Sequence, residues 1–595
     1  MAVPPQLNNN PLAVASAADV DSHDSAGARK EAALDSEAHE TREGSDSDEP
    51  IHLDAQAGVQ NIEATTTVWT KGALITAYIM IWVIYFVNSL QQGTTGSLTP
   101  YVTSNFQQHS LTPTVGIISN IISGMSKLVI AKILDVIGRP TGYVLCITIL
   151  TLGLVLMAAC DGVEMYAAAQ TFYWVGYTGL GFCLSIFIAD TSSLRNRGLM
   201  FAFSNSPYII TSWVSGPIAE SVLKTVGFRW GFGIFTIVTP ILCLPLFFLF
   251  VHYLRIAKKR GLLPDRSSTR TPLQSFLHYC KEFDVVGLLL IIAGLSLFLL
   301  AFNLYSYQPL QWKSPLVLCF IIIGLLLLVA FALWEKYGAP VTFIPFELLL
   351  DRTVFGACIL SATLFVSFYI WNAYFESFLQ VVMGLTITQA SYVGEIYSVG
   401  SCFWSIIVGL ALRYTHRFKW IALYFGVPLT VLGAGLMIKF RQPDVNVGYI
   451  VMCQIFIAFA GGSLVITQQV AAMAAARHQH VAVVLAVEGM FSSIGGAIGL
   501  TVASAIWQAS FPQALGKYLP ASEQGNLTTI YGDLVTQLSY PEGSETRIAI
   551  QHAYGDAQKL MCISSTAILS IAFVAVAVWK DINLKDNKQV KGLVV

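Results

Sequence analysis

Residues 112 to 160 read TPTVGIISNIISGMSKLVIAKILDVIGRPTGYVLCITILTLGLVLMAAC. Two apolar runs, 112–133 and 142–160, each approach the roughly 20 residues that a helix needs to cross about 30 Å of hydrocarbon. Only a short turn carrying Asp135 and Arg139 separates them. Two spans joined by so short a polar turn form a hairpin of membrane helices, and the same pattern continues in both directions.

Windows of similar length fall at 73–90, 112–133, 142–160, 164–189, 199–219, 231–253, 285–303, 315–334, 353–379, 391–412, 420–438, 448–471, 480–507 and 560–579, which makes fourteen. The span at 353–379 carries several polar residues, so a kink or tilt is expected there. Composition agrees: of 595 residues 55% are hydrophobic and only 12% charged, with a mean hydropathy of +0.62. That excludes an ordinary soluble protein. With 34 Lys and Arg against 35 Asp and Glu there is no sustained basic stripe, so no nucleic-acid partner is expected.

Charge is unevenly placed. Residues 1–70 hold 13 acidic and 3 basic side chains and no sustained apolar period, which predicts a disordered acidic tail. Basic residues collect after span six (Arg255, Lys258, Lys259, Arg260, Arg266, Arg270) and in the turns after spans two, four, ten and twelve (Lys132, Arg139, Arg195, Arg197, Arg413, Arg417, Lys419, Arg477). The positive-inside rule then puts both termini in the cytoplasm, which an even number of spans satisfies. The expected organisation is a cytoplasmic tail 1–70, a six-helix bundle 71–254, a basic cytoplasmic linker 255–284, the remaining membrane helices 285–507 including a C-terminal bundle, an extracellular loop 508–559, and a last span with a cytoplasmic tail 560–595. The loop is either an ordered cap or a dispensable insertion, and its Asn526-Leu527-Thr528 is a glycosylation acceptor sequence.

Ten cysteines are scattered without a CxxC pair, so they read as small apolar filler rather than a zinc site or disulfide framework. No compact catalytic constellation or nucleotide-binding loop points to an enzyme or a cofactor.

The turn Ala131-Lys132-Ile133-Leu134-Asp135-Val136-Ile137-Gly138-Arg139-Pro140 resembles the signature loop of the major facilitator superfamily, departing from it at Ala131 and Pro140. Its acid, glycine and arginine suit a tight turn with a charged lock, so Asp135 and Arg139 are the expected gating residues. Trp213-Val214-Ser215-Gly216-Pro217 looks like a fragment of the motif found in facilitator antiporters. Leu194-Arg195-Asn196-Arg197-Gly198, Tyr369-Ile370-Trp371-Asn372-Ala373-Tyr374-Phe375, the acidic tail and the long last loop together resemble the fungal siderophore-iron transporters of that superfamily, over roughly residues 65–585. The similarity is greatest to filamentous-fungal transporters of ferric triacetylfusarinine-type chelates.

This resemblance implies an all-α membrane protein of the major facilitator fold with 14 transmembrane helices. It would be a plasma-membrane symporter that imports an intact ferric hydroxamate siderophore with protons, with an intracellular vesicle pool also allowed; because one chain supplies a complete pathway, a monomer is expected. A multidrug or toxin exporter of the same superfamily is the competing function.

A bulky neutral iron chelate presents amides and apolar edges, so its pocket calls for aromatics and hydrogen-bonding groups. The spans supply Tyr85, Asn88, Gln91 and Gln92; Tyr173, Trp174 and Tyr177; Asn205, Tyr208 and Trp213; Tyr369, Trp371, Asn372 and Tyr374; and Gln468. Free iron is a poorer fit, because the histidines fall mostly in tails and loops and no inward metal cage is expected. Proton coupling needs a carboxylate in the hydrocarbon zone, costly there unless paired, hydrated or protonated. Glu376, Glu395 and Glu488 meet that requirement; Tyr531, Tyr540, His552 and Tyr554 of the last loop are further places a chelate would touch.

Overall fold

The computed structural model describes residues 57–105, 112–263, 272–305, 308, 310–340, 349–476 and 480–585. The tail up to residue 56, Arg266, Arg270, Arg477 and the residues after 585 fall outside this range.

Every regular element described is helical. In chain order the α-helices are α1 (Ala57–Val68), α2 (Lys71–Asn105), α3 (Thr112–Val136), α4 (Arg139–Ala159), α5 (Val163–Thr191), α6 (Leu194–Asn205), α7 (Tyr208–Thr225), α8 (Phe228–Lys259), α9 (Pro272–Glu282), α10 (Val285–Leu304), α11 (Pro315–Tyr337), α12 (Arg352–Asn372), α13 (Phe375–Val381), α14 (Ile387–Thr415), α15 (Val427–Phe440), α16 (Val447–Ala475), α17 (Val481–Tyr518), α18 (Leu527–Gly532), α19 (Leu534–Ser539), α20 (Glu545–Ile568) and α21 (Ser570–Ala577). Local chemistry sets many of these starts. Asp351 accepts from the amides of Thr353 and Val354, Thr386 forms a capping box with Gln389, and Ser544 accepts from Arg547. Pro140 and Pro315 stand in the first turns of α4 and α11, where a missing N–H costs nothing.

Among the described residues thirteen helical stretches are long and apolar enough to cross a membrane. The expected fifth span, 199–219, is not one continuous helix: α6 ends at Asn205, Ser206 and Pro207 interrupt, and α7 follows. Proline removes a hydrogen-bond donor and clashes with the preceding turn, so the interruption falls beside it. The expected kink in span nine is also present, as a break at Ala373 and Tyr374, the latter with φ 58°.

Three expected boundaries need correction. Residues 57–68 are not part of a disordered tail: they form α1, which buries Ile62, Ala64, Thr65, Thr66 and Val68 against α3 and α8. Gly58 is required by that contact, since a Cβ there would lie 2.1 Å from the carbonyl oxygen of Leu134. The linker starts later than 255, because α8 runs on to Lys259, and it contains the helix α9 before the next apolar stretch begins at Val285. The loop expected at 508–559 is shorter: α17 extends to Tyr518 and the last long apolar stretch begins at Glu545. Apolar stripes on these polar stretches, Phe511, Ala514 and Leu515 on one side and Ala549, Ile550 and Ala553 on the other, are buried. A window measuring average polarity does not register such stripes.

The remaining 519–544, the cap at this end of the helices, carries the short helices α18 and α19 and is tied to its neighbours. Arg547 donates to the carbonyl oxygens of Gln537 and Gln380, at 2.5 and 3.3 Å, and Tyr554 donates to Gln537 at 2.8 Å.

Helices α2 to α8 pack on one another, and α12 to α21 do likewise. Between these two groups α3 lies along α17, while α14 lies against α6 and α7. Helices α10 and α11 pair with each other, and α10 packs against α3 and α17. Only 11% of the most apolar stretch of α11 is buried, against 72% for α17, so α11 presents its leucines and isoleucines to lipid.

Candidate functional site

Small residues make room for rings within the second group, α12 to α21. A Cβ at Gly461 would lie 2.7 Å from the Tyr397 hydroxyl, and one at Gly496 or Gly499 would meet the ring or Cβ of Tyr369 at 2.7 or 2.9 Å. The glycine pairs of α16 and α17 thus seat Tyr397 and Tyr369 against helix backbone. Between them lies a cavity of ≈ 240 Å³, lined by Phe365, Phe368, Tyr369 and Trp371 of α12, Tyr397 of α14, Thr430 of α15, Ile457 and Gly461 of α16, and Gln92 of α2.

Gln92 is the reach of the first group into this cavity. Its side-chain oxygen accepts from Tyr177 at 2.7 Å and from Tyr208 at 2.8 Å, so α2, α5 and α7 converge on one amide. Tyr173 and Trp174 pack round Tyr177 at ring separations of 5.8 and 5.5 Å, which makes them supports of that hydroxyl rather than lining residues.

Other sequence-predicted residues stand elsewhere. Asn88 and Gln91 are buried among the first group, with Gln91 accepting from Thr239 at 3.0 Å. The Tyr85 hydroxyl reaches the carbonyl oxygen of Gly181 at 3.4 Å, and Asn205 is half-buried at the end of α6. Trp213 is 49% exposed and tilts over Tyr392 at 5.4 Å, away from the cavity lining. Asn372 is half-buried at the end of α12, while Tyr374 stacks on Trp507 at 4.2 Å. Tyr554 is buried, Tyr540 donates to Glu523, and Tyr531 and His552 lie beside Phe511 and Tyr518. These four tie the cap down.

The break after α12 leaves the carbonyl of Trp371 without a helical partner. Arg441, at the end of α15 and fully buried, donates to it at 2.5 Å and lies over the rings of Phe375 and Phe378 at 4.3 and 5.3 Å. The break thereby holds Trp371 in the cavity wall and places Glu376 in the first turn of α13.

Glu376 is solvent-accessible and neighbours α14, where a Cβ at Gly394 would lie 3.9 Å from its Oε1. Glu395, one residue further along α14, accepts from Ser212 of α7 at 2.9 Å, a bond between the two helix groups. Glu488 is buried in a second cluster: its Oε1 accepts from Ser361 at 2.8 Å and from Gln468 at 2.9 Å. Gln468 therefore belongs with Glu488 and not with the aromatic cavity.

At the turn between α3 and α4, Arg139 pairs with Asp135 at 2.6 Å and with Asp190 of α5 at 3.1 Å, all three buried. Gly138, at φ 125°, takes the backbone where a side chain would be strained. The buried Arg197 donates to the carbonyl oxygens of Ala189 and Ser192, fixing the next turn at this end.

Several residues here were not singled out from sequence. Lys127 in α3 carried a readable signal, a charge inside the apolar run 112–133, and Asp190 a weaker one, at the edge of the run 164–189. Arg441, Ser212 and Tyr397 carried none, since their roles depend on which helices meet.

Comparison with known proteins follows the same lines. The model of the Major Facilitator Superfamily matches residues 81–337. The chain is 62% identical over 550 residues, 92% of its length and 94% of the relative's, to "MFS siderochrome iron transporter 1" of Ajellomyces capsulatus. It is 43% identical over 540 residues, 91% of its length and 89% of the relative's, to "Siderophore iron transporter mirB" of Emericella nidulans. A bacterial homologue of the human lysosomal transporter Spinster, solved inward-facing and occupied, superposes with a TM-score of 0.52 at 14% identity, covering 86% of this chain and 97% of that one. That likeness is one of fold.

Proposed function

Since this chain belongs to the siderochrome (siderophore) iron transporter family of the major facilitator superfamily, we propose that it imports an intact ferric hydroxamate chelate, of the ferric triacetylfusarinine type, together with protons. That the chain is a multi-pass siderophore-iron transporter rests on the family; cargo, coupling and site are our reading.

The observation that carries the reading is the aromatic cavity joined to one amide of the opposite helix group. Phe368, Tyr369, Trp371 and Tyr397 offer faces to apolar chelate edges, while Gln92, held by Tyr177 and Tyr208, offers a hydrogen-bonding group to a hydroxamate or ester oxygen. In this reading iron is cargo held by its own chelator, and the protein binds the chelator. Tyr85, Asn88, Gln91, Tyr173, Trp174 and Gln468 support the pathway from behind, and Asn205, Trp213, Asn372 and Tyr374 flank it.

The packing into two groups supports a reading of alternating access. We take α2–α8 and α12–α21 as the two moving bundles and count fourteen spans by adding the pair α6–α7, interrupted at Ser206 and Pro207, to the thirteen long apolar stretches, with α10 and α11 as the pair outside both bundles. Glu376 and Glu395 stand nearest the contact of α14 with α7, so protonation there would weaken the Glu395–Ser212 bond between the bundles. Asp135, Arg139 and Asp190 act as the gating lock at the other end, the cytoplasmic side of a plasma-membrane monomer with both termini inside.

The test follows iron and ligand separately in doubly labelled ferric triacetylfusarinine, in transporter-free cells expressing the chain, with and without a proton gradient. Equal, gradient-dependent accumulation of both labels is expected. Accumulation of neither sinks the substrate, accumulation of iron alone sinks the intact-chelate mechanism, and efflux of the chelate favours an exporter.

A further inference from the structure

Lys127 stands within the apolar run of α3, where an ammonium is costly unless hydrated or bonded. Its Nζ donates to the carbonyl oxygen of Gly489 at 3.1 Å, a bond from α3 to α17 and so from one helix group to the other. Gly489 supplies the space: a Cβ there would lie 2.8 Å from the lysine Cδ and 2.9 Å from Nζ. Lys127 and Glu488 both line a cavity of ≈ 160 Å³, together with Thr178, Ser185 and Gln469. The two charges share this space without a direct ion pair.

The partners of Glu488 divide by side. Ser361 of α12 and Gln468 of α16 donate to its Oε1, and Ser361 is 2.6 Å from Ser492 of α17. All three lie in the same helix group as Glu488. The charge opposite it, Lys127, comes from the other group. The thiol of Cys358 on α12 also faces it, while α5 contributes the hydroxyls of Thr178 and Ser185. Helices α10 and α20 meet α17 farther along, at Ala497 and at Phe511. Lys127 is thus the cation facing Glu488 among the described residues.

A carboxylic acid still accepts hydrogen bonds from a hydroxyl and an amide, so a proton on Glu488 weakens the contacts within its own group, as it would the Glu395–Ser212 bond, without breaking them. What it removes is the attraction between the carboxylate and the ammonium across the interface. We propose that Lys127 and Glu488 form a proton-released latch between α3 and α17: ionised Glu488 holds the two groups together at the Asp135 end, and a proton on Glu488 frees them to part. The latch deepens the proton-coupled reading above, rests on it, and adds Lys127 as the positioning residue of the coupling step.

The test uses the full chain in liposomes and the ratio of ferric triacetylfusarinine uptake at acid to that at neutral external pH, beside chelate binding to the detergent-solubilised protein. In the unaltered chain the ratio should reach about tenfold, within the usual range of coupling between sites. Lys127→Met and Glu488→Gln should each bring it close to one, while Lys127→Arg, which keeps the charge, should preserve it. Glu488→Gln changes no volume and carries the test if Lys127→Met fails to fold. A Lys127→Met chain with the full acid-to-neutral ratio, or a Lys127→Arg chain that loses it, overturns the latch and leaves chelate import standing. An unaltered chain that binds and moves no chelate at any pH overturns the import reading, and the latch with it.

Discussion

The hydroxyls of Tyr177 and Tyr208 lie 2.5 Å apart, and both reach the side-chain oxygen of Gln92. Two phenols own two protons, yet the triangle has three short contacts, so one contact lacks a proton whichever way the hydroxyls turn. A cargo amide or a water entering the cavity can relieve that shortage, which makes the triangle responsive to occupancy. Tyr177→Phe and Tyr208→Phe should each raise the KM for ferric chelate about two- to tenfold, the worth of one net hydrogen bond, with Vmax little changed. Uptake kinetics check this; an unchanged KM in both variants removes the triangle from the binding site.

Arg441 gives a stability prediction. Its guanidinium holds the carbonyl oxygen of Trp371 and covers Phe375 and Phe378, deep in the protein. Arg441→Leu leaves that carbonyl unpaired, at a cost of about 1–3 kcal/mol, and gives up a cation–π contact of about 0.5–2 kcal/mol. A lower melting temperature of the solubilised chain is expected. Arg441→Lys should recover only part of it, because an ammonium lacks the planar fork that spans both rings and the carbonyl. Melting curves equal to the unaltered chain in both variants would show that the break after α12 holds without the arginine.

Asp351 gives a pH dependence with a definite sign. Burial alone would raise its pKa, but Lys580 at 2.5 Å and the amides of Thr353 and Val354 outweigh it and hold the carboxyl below its ordinary value. The folded value is therefore lower than the unfolded one. The contribution is complete above the unfolded carboxyl value and disappears as the pH falls through the folded one. Asp351→Ala should cost about 0.5–2 kcal/mol at neutral pH, the range for a lost helix N-cap. The difference between variant and unaltered chain should narrow on acidification; a constant difference in acid melts would refute the assignment.

Much of the architecture was written in run lengths. Stretches such as 142–160 and 315–334 are apolar throughout, and their helices lie where hydropathy puts them. Polarity misled at α1, where polar Gln60, Thr65 and Thr66 are buried with Ile62, and at the end of α17 and the start of α20, which carry exposed polar residues beside buried Phe511 and Ile550. Within the candidate site, residue types were legible and partners were not. An aromatic such as Trp213 and one such as Trp371 look alike in sequence, and only the crossing of helices turns the second toward the cavity. Glu488 was visible as an acid in a span, yet the side of the molecule that supplies Lys127 depends on α3 lying along α17.

The orientation of the whole chain can be read from one side chain. Asn526 is exposed at the start of the cap helix α18, its amide donates to Glu523 at 2.8 Å, and Leu527 and Thr528 complete an acceptor sequence. Helices α3 and α17 run antiparallel, with Gly124 against Ser493 and Lys127 against Gly489. The cap after Tyr518 therefore sits at the opposite end from the Asp135–Arg139 turn. Glycan transfer occurs only on the lumenal, later external, face. If the basic turns are cytoplasmic, the chain expressed in a fungal host should shift in mobility on endoglycosidase treatment, and Asn526→Gln should abolish the shift. Breaking the Glu523 bond with Glu523→Ala frees the amide and should leave glycosylation intact, which separates accessibility from local hydrogen bonding. A cysteine placed at Gly525, labelled by an impermeant thiol reagent in intact cells, reads the same face without depending on the glycan. Labelling only after permeabilisation would invert the orientation, and with it the direction in which the Asp135 lock and the Lys127–Glu488 latch open.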